Sequence, residues 1–335
     1  MLENRNLACL IIGYLRASEL ISLTSFAINY GIHNIYIAID GPKNRRDSEI
    51  QSSVIQAIQE LEMSKNQTIY LRNSWGNHGA AVSVIKAIDW VSRNENEFII
   101  LEDDLVPGED FIPFVREMLK KYRDNDDVLL VSGNRFFQIE NQTCNEILVK
   151  FPLIWGWGTN TQKWSIMRQG IIDSSYERSH QPIRSGKLRA FLRTGASRSR
   201  SGQIDAWDLP LAYWMFKNRK LCVLPPVNLV TNVGSDANAL HTKQSTWPLY
   251  VPTGRISKLE QMEYGLNKTE YRREEQLIEK KIYKVKFHHL FSPFIYRIVD
   301  LVLMRVPNFS QSLEKRLESA ETFEGFEITL SKGQK

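Results

Sequence analysis

Five short apolar runs, NLACLIIGY, NIYIAID, QTIYL, EFIILED and DVLLVSG, recur between residues 6 and 133 with longer helical patterns between them. Strands buried on both faces read as nearly continuous apolar stretches, and strands that alternate with helices imply parallel pairing through crossover helices. The helical segments carry their own punctuation. ASELISLTSFAINYG stops at Gly31, and GAAVSVIKAIDWVSR puts Ala81, Val84, Ile85, Ile88 and Val91 on one face. The expectation is an α/β, doubly wound and mostly parallel sheet with flanking helices.

At 335 residues and 42% apolar composition the chain can build a substantial core. The net charge of +5 does not call for nucleic acid, although it suits a phosphate-bearing ligand or an anionic membrane surface. Cys9, Cys144 and Cys222 lie far apart, so neither a disulfide framework nor a zinc cluster is indicated, and a reducing compartment fits. The N-terminal apolar run is too short for a secretory or spanning segment.

In such sheets ligands collect outside the carboxyl ends of the strands, where Arg16, Asp40 and the consecutive Glu102, Asp103 and Asp104 emerge. The dinucleotide pattern GxGxxG and the phosphate-loop pattern GxxxxGK[ST] are absent. Three adjacent carboxylates at the end of a buried strand repel one another, and burial raises the cost. Hard divalent cations take such oxygen ligands together with substrate phosphates, so the cluster is a candidate site for Mn²⁺ or Mg²⁺. The blander reading is a set of acids favoured by the start of the helix DFIPFVREMLKKY.

Beyond residue 150 the pattern turns irregular: FPLIWGWGTNTQKW, then the basic run RSGKLRAFLRTGASRSRSGQ, then a helix at DAWDLPLAYWMFKN, then strand and loop signals in LCVLPPVNLVTNVGSDANALHT. Residues 193–202 read as a solvated surface loop, with a phosphate clamp by Arg193, Arg198 and Arg200 as the rival. From about residue 246 the chain reads as a helical extension.

GYLRASEL, IYIAIDG, LEDDLVPGEDF, the WGWGT turn, WDLPLAYWM and PPVNLVTNVGSDANALHT, in that order, resemble metal-dependent glycosyltransferases of the GT-A fold. The likeness is to N-acetylglucosaminyltransferase I and bacterial enzymes of surface-polysaccharide synthesis. It covers about residues 5–245. It implies a catalytic domain over 1–245, with a nucleotide-sugar half at 1–135 and an acceptor half at 136–245, followed by the extension at 246–335. By that resemblance Asp104 binds the metal, while Glu102 and Asp103 contact metal-bound water and the ribose. Arg16 approaches the nucleotide phosphates, Asp40 accepts from the base, with uracil suited and guanine open, and His78 or Asn77 touches the base. Asp208 is the implied catalytic base, with Asp205 in reserve, and Asp208 also reads as a helix cap. One of Trp155 and Trp157 is expected in the core and the other as an acceptor wall. His241 is a further metal-side candidate, and Asn232 and Gly234 suggest a mobile loop.

The implied reaction is transfer, with inversion, from a nucleotide-diphosphate sugar to a saccharide or lipid-linked acceptor in surface-polysaccharide synthesis. The segment 280–305 reads either as an interfacial stretch on anionic lipid or as a helix packed on the domain. A cytoplasmic protein, seated peripherally on the inner membrane face in the first case, is the expectation. A sugar-nucleotide nucleotidyltransferase and a non-catalytic carbohydrate-binding protein are the alternatives.

Overall fold

β1 (Leu7–Gly13) is buried at every position because it lies between two strands and beneath helices on both faces. The computed structural model describes residues 7–136, 146–173, 186–234, 251–256, 276, 312–320 and 322–332. After β1 come α1 (Ala17–Asn29), β2 (Asn34–Ile39), α2 (Arg45–Gln59), β3 (Thr68–Ser74), α3 (Ala80–Ser92), β4 (Glu97–Glu102), β5 (Leu105–Pro107), α4 (Phe111–Lys121) and β6 (Val128–Ser132). The second half adds β7 (Ile147–Val149), β8 (Trp157–Asn160), α5 (Thr161–Ile172), α6 (Gly186–Arg200), α7 (Asp208–Asn218), β9 (Leu221–Leu224) and β10 (Val230–Asn232). Two later elements follow, α8 (Leu313–Ser319) and β11 (Gly325–Ser331).

The main sheet runs in the order β11-β3-β2-β1-β4-β8-β6-β9-β7, with β5 and β10 forming a separate antiparallel pair. β3, β2, β1 and β4 are parallel, as the apolar runs predict. β8 is antiparallel to both β4 and β6, so the second half is mixed. Alternate residues of β1 feed two cores. Leu7, Cys9 and Ile11 meet α1, α2 and α4, whereas Ala8, Leu10 and Ile12 meet α3, α5, α6, α7 and α8. Each fully buried Leu or Ile contributes about 1.5–3 kcal/mol, so both faces must be apolar.

Three expectations change. WGWGT is not only a turn, because Trp157 opens β8 in the middle of the sheet. Residues 193–202 are not a surface loop: through Arg200 they belong to α6, with Leu192, Ala196 and Ser199 buried at helical spacing. Arg200 is only 7% exposed and donates to the Gly170 and Ile171 carbonyls in the last turn of α5, where helix carbonyls need partners from outside the helix. Third, residues 325–331 are not part of an extension beyond the sheet. β11 pairs antiparallel with β3 over its whole length and forms the sheet's edge. The segment 280–305 lies outside the described residues. Among the described residues no helix is long and apolar enough to cross a membrane.

Candidate functional site

The chain leaves β1 toward β2 on one side and later returns β4 to its other side, so the carboxyl ends of β1 and β4 form the point where strand order reverses. Crevices of this kind are where open α/β sheets bind ligands. Tyr14 and Arg16 follow β1 there, and Glu102, Asp103 and Asp104 close β4. The register fixes the encounter: Ile12 pairs with Glu102, and the Asp103 backbone N–H donates to the Ile12 carbonyl at 2.9 Å.

Each acid has a distinct setting. The Tyr14 backbone N–H donates to Asp103 Oδ2 at 2.8 Å, and the Arg16 guanidinium stands 4.0 Å from Asp103 Oδ1. Burial nevertheless pushes the Asp103 carboxyl up to about 7, with Asp104 and Glu19 adding to the rise while Tyr14 and Arg16 oppose it. Glu102 is raised well above the carboxylate range, first by burial and then by Asp104, Asp103 and Asp208. Asp208 therefore acts on the same cluster, although it lies 104 residues downstream of Asp104. Asp104 is aimed by the β5–β10 ribbon. Its carbonyl accepts from the Val233 N–H at 2.8 Å, and its Oδ2 accepts from Asn232 Nδ2 at 3.1 Å. Asn232 is buried at the end of β10, so it is a fixed support rather than part of a mobile loop.

The ligand set has consequences for a metal. Among the described residues no group of three or more His, Cys, Asp or Glu side chains is placed so that it could hold a metal ion. An all-protein site of the zinc or calcium kind is not present there. Magnesium and manganese commonly take one or two carboxylates and complete their shell with phosphate and water, and an oxygen-only acidic cluster fits that habit.

Asp40, at the end of β2, is engaged otherwise than expected. Its Oδ1 accepts from the Gly41 and His78 backbone N–H groups at 3.0 and 2.9 Å, and its Oδ2 from Asn77 Nδ2 and the Gly79 N–H at 2.9 and 3.0 Å. A carboxylate has about four acceptor positions, and protein donors fill them. The role visible for Asp40 is to hold the loop before α3, with His78 in it. A base N–H would have to displace one of those donors.

Asp205, the reserve base, caps α3. Its carboxylate accepts from the Ala80 and Ala81 N–H groups at 2.7 and 3.2 Å and pairs with Arg316 from α8. Gly79, at φ +81, lies where a side chain would strike Asp205 Oδ2. Asp208 occupies the first turn of α7, and Trp207 rather than Asp208 is the flanking cap residue.

The two tryptophans differ in setting. Trp157 is wholly buried and stacks on Trp207 at 5.8 Å between ring centres, with Trp164 at 6.4 Å. Trp155 is only partly buried and meets Phe136 edge-on at 4.7 Å. His241 lies outside the described residues.

Sequence reasoning missed Tyr14 and Arg316. Tyr14 was open to discovery, because the first residues after a central strand line the crevice. Arg316 carries no local signal, since its contact with the His78 carbonyl spans 238 residues.

No family model matches the chain, and no curated protein does either. Among solved structures, a chain described as a mannose-1-phosphate geranyltransferase from Thermus thermophilus is similar at 8% identity and a TM-score of 0.30, over 66% of this chain and 73% of that one. A likeness that slight bears on neither activity nor substrate.

Proposed function

We propose that the protein is a metal-dependent glycosyltransferase that moves a sugar from a nucleotide-diphosphate donor, with a uridine nucleotide the first candidate, to a saccharide or lipid-linked saccharide. The observation that carries this reading is the burial of Glu102 and Asp103 beside Asp104 at the strand-order reversal, which, with the charge of their neighbours, raises both of the first two carboxyls. Such a cluster is costly without a cation, and a cation there is well placed to share its shell with a diphosphate.

Asp104 would hold Mn²⁺ or Mg²⁺, with Glu102 and Asp103 ordering its water. When bound, the ion supplies neutralisation of charge on the departing diphosphate. The chain's own groups do the rest. Asn232 and the Val233 N–H fix the Asp104 carboxylate and backbone, so its oxygen is held in place before donor arrives. Arg16, ordered beside Asp103, adds a fixed positive charge for phosphate oxygens. Asp208 takes the proton of the acceptor hydroxyl as it attacks the anomeric carbon, and a single displacement inverts that centre. Trp155, which is only partly buried, offers a face to the acceptor ring.

The test is hydrolysis of a panel of nucleotide sugars with and without Mn²⁺, comparing wild type with Asp104→Ala. Slow metal-dependent release of nucleoside diphosphate, lost in the variant, supports the reading. Pyrophosphate-dependent formation of nucleoside triphosphate instead identifies a nucleotidyltransferase.

A further inference from the structure

A second cleft opens at the carboxyl end of β3, beside the β11 edge. Its volume is about 230 Å³, and its walls include Ser48, Gln51, Ser52, Asn73, Trp75 and Phe326. Its origin lies in strand alternation. Ile69, Leu71 and Asn73 of β3 face the α2 side, and Phe326, opposite Asn73, continues the apolar row of Ile328 and Leu330 on β11. The sheet outruns α2 at this corner. Trp75 is left 68% exposed and Phe326 37% exposed. Trp75 makes no ring contact among the described residues, while its backbone N–H is fixed to the Glu324 carbonyl at 3.0 Å.

The polar wall that the described residues form is uncharged and preorganised. Gln51 Nε2 donates to the Asp40 and Tyr14 carbonyls at 2.8 and 3.2 Å, and Gln51 Oε1 accepts from Asn73 Nδ2 at 3.1 Å. That leaves Asn73 Oδ1 as an acceptor. Ser52 Oγ donates to the Ser48 carbonyl at 2.9 Å and keeps its lone pairs for an incoming hydroxyl. Among the described residues no Lys, Arg, Asp or Glu lines the cleft, which disfavours phosphate or carboxylate ligands. Open aromatic faces set against hydroxyl and amide groups match a ligand with a C–H face and an equatorial rim of hydroxyls. The size suits one ring.

We propose that this cleft is a binding subsite for a neutral pyranose unit of a saccharide, separate from the carboxylate crevice and joined to it through Gln51. It rests on its own geometry and does not require the transfer reaction. The Trp75 indole N–H resonance, assigned by its loss in Trp75→Phe, would be followed during titration of the full chain with glucose, galactose, N-acetylglucosamine, rhamnose and short dextran and mannan oligomers. A saturable shift with at least one of them, and affinity weakened about tenfold in Phe326→Ala and, by calorimetry, in Trp75→Ala, is the expected result. Asp104→Ala should leave that affinity unchanged, which separates this site from the metal crevice. No shift up to the solubility limits of the whole panel overturns the proposal. So does a response to uridine or adenosine alone, or a Trp75 ring already shielded in the free protein, which means the chain itself fills the cleft.

Discussion

Arg316 places Nη2 at 3.0 Å from Asp205 Oδ1 and at 2.7 Å from the His78 carbonyl oxygen, tying α8 to residues 111 and 238 positions away. Asp205 in turn caps α3, and Asp40 holds the neighbouring loop from the other side. Removing the cap in Asp205→Ala is expected to cost about 1–2 kcal/mol of stability. Arg316→Ala should cost about 1 kcal/mol, because the ion pair is partly exposed and its hydrogen bond to His78 is the firmer part. Urea denaturation of both variants and of the double variant reads this directly: the double should cost less than the sum of the singles.

The two candidate bases separate kinetically. Asp205 serves the α3 backbone, whereas Asp208 acts on the acidic cluster. Asp208→Asn should lower turnover by about 10²–10⁴-fold with donor affinity retained, while Asp205→Asn keeps most of its turnover. Donor affinity by calorimetry and turnover by nucleotide release give the split. The reverse ranking would move the base to Asp205.

Protonation of the cluster makes stability depend on pH in a definite direction. Asp103 titrates at about 7 in the folded chain, and Glu102 is raised in the same sense. The unfolded value of an aspartate is about 3.9, so the folded state holds these protons more tightly. That stabilisation is complete below about pH 4 and is lost as pH rises through about 7. The urea midpoint of the metal-free protein should therefore fall over this range, more steeply in wild type than in Asp103→Asn. Manganese added above neutrality should restore the midpoint in wild type and fail to do so in Asp104→Ala.

Gly234 tests how closely Asp104 is held. A Cβ at residue 234 would lie 2.6 Å from Asp104 Oδ2 and 3.0 Å from Asn232 Oδ1. Gly234→Ala should displace that pair and weaken Mn²⁺ binding about 10–100-fold, with the circular dichroism spectrum unchanged. Free Mn²⁺ measured by electron paramagnetic resonance reports it. Unaltered affinity would remove Asp104 as the ligand.

Much of the first half is legible because β1, β2, β4 and β6 are buried along most of their length, which leaves no polar alternative for residues such as Ile11, Ile37 or Ile99. α6 is not legible, since its sequence is rich in Arg, Ser and Gly. What anchors its buried face is tertiary contact, including Arg200 on the end of α5. β8 has four residues, one of them Gly158, and acquires strand geometry from β4 and β6 on either side. At the site, residue type and strand-end position expose Glu102, Asp103 and Asp104. The partners of Asp40 stay hidden, because three of its four donors come from Asn77, His78 and Gly79, nearly forty residues on.

β3 is finished once residue 74 has been synthesised, yet the strand that covers its outer edge begins only at residue 325. During all the intervening translation, at about 5–20 residues per second, a row of unpaired backbone groups stays open to any passing extended chain. The growing polypeptide thus carries its greatest tendency to self-associate early and sheds it late. The period in which a chaperone is most useful to it is set by strand order.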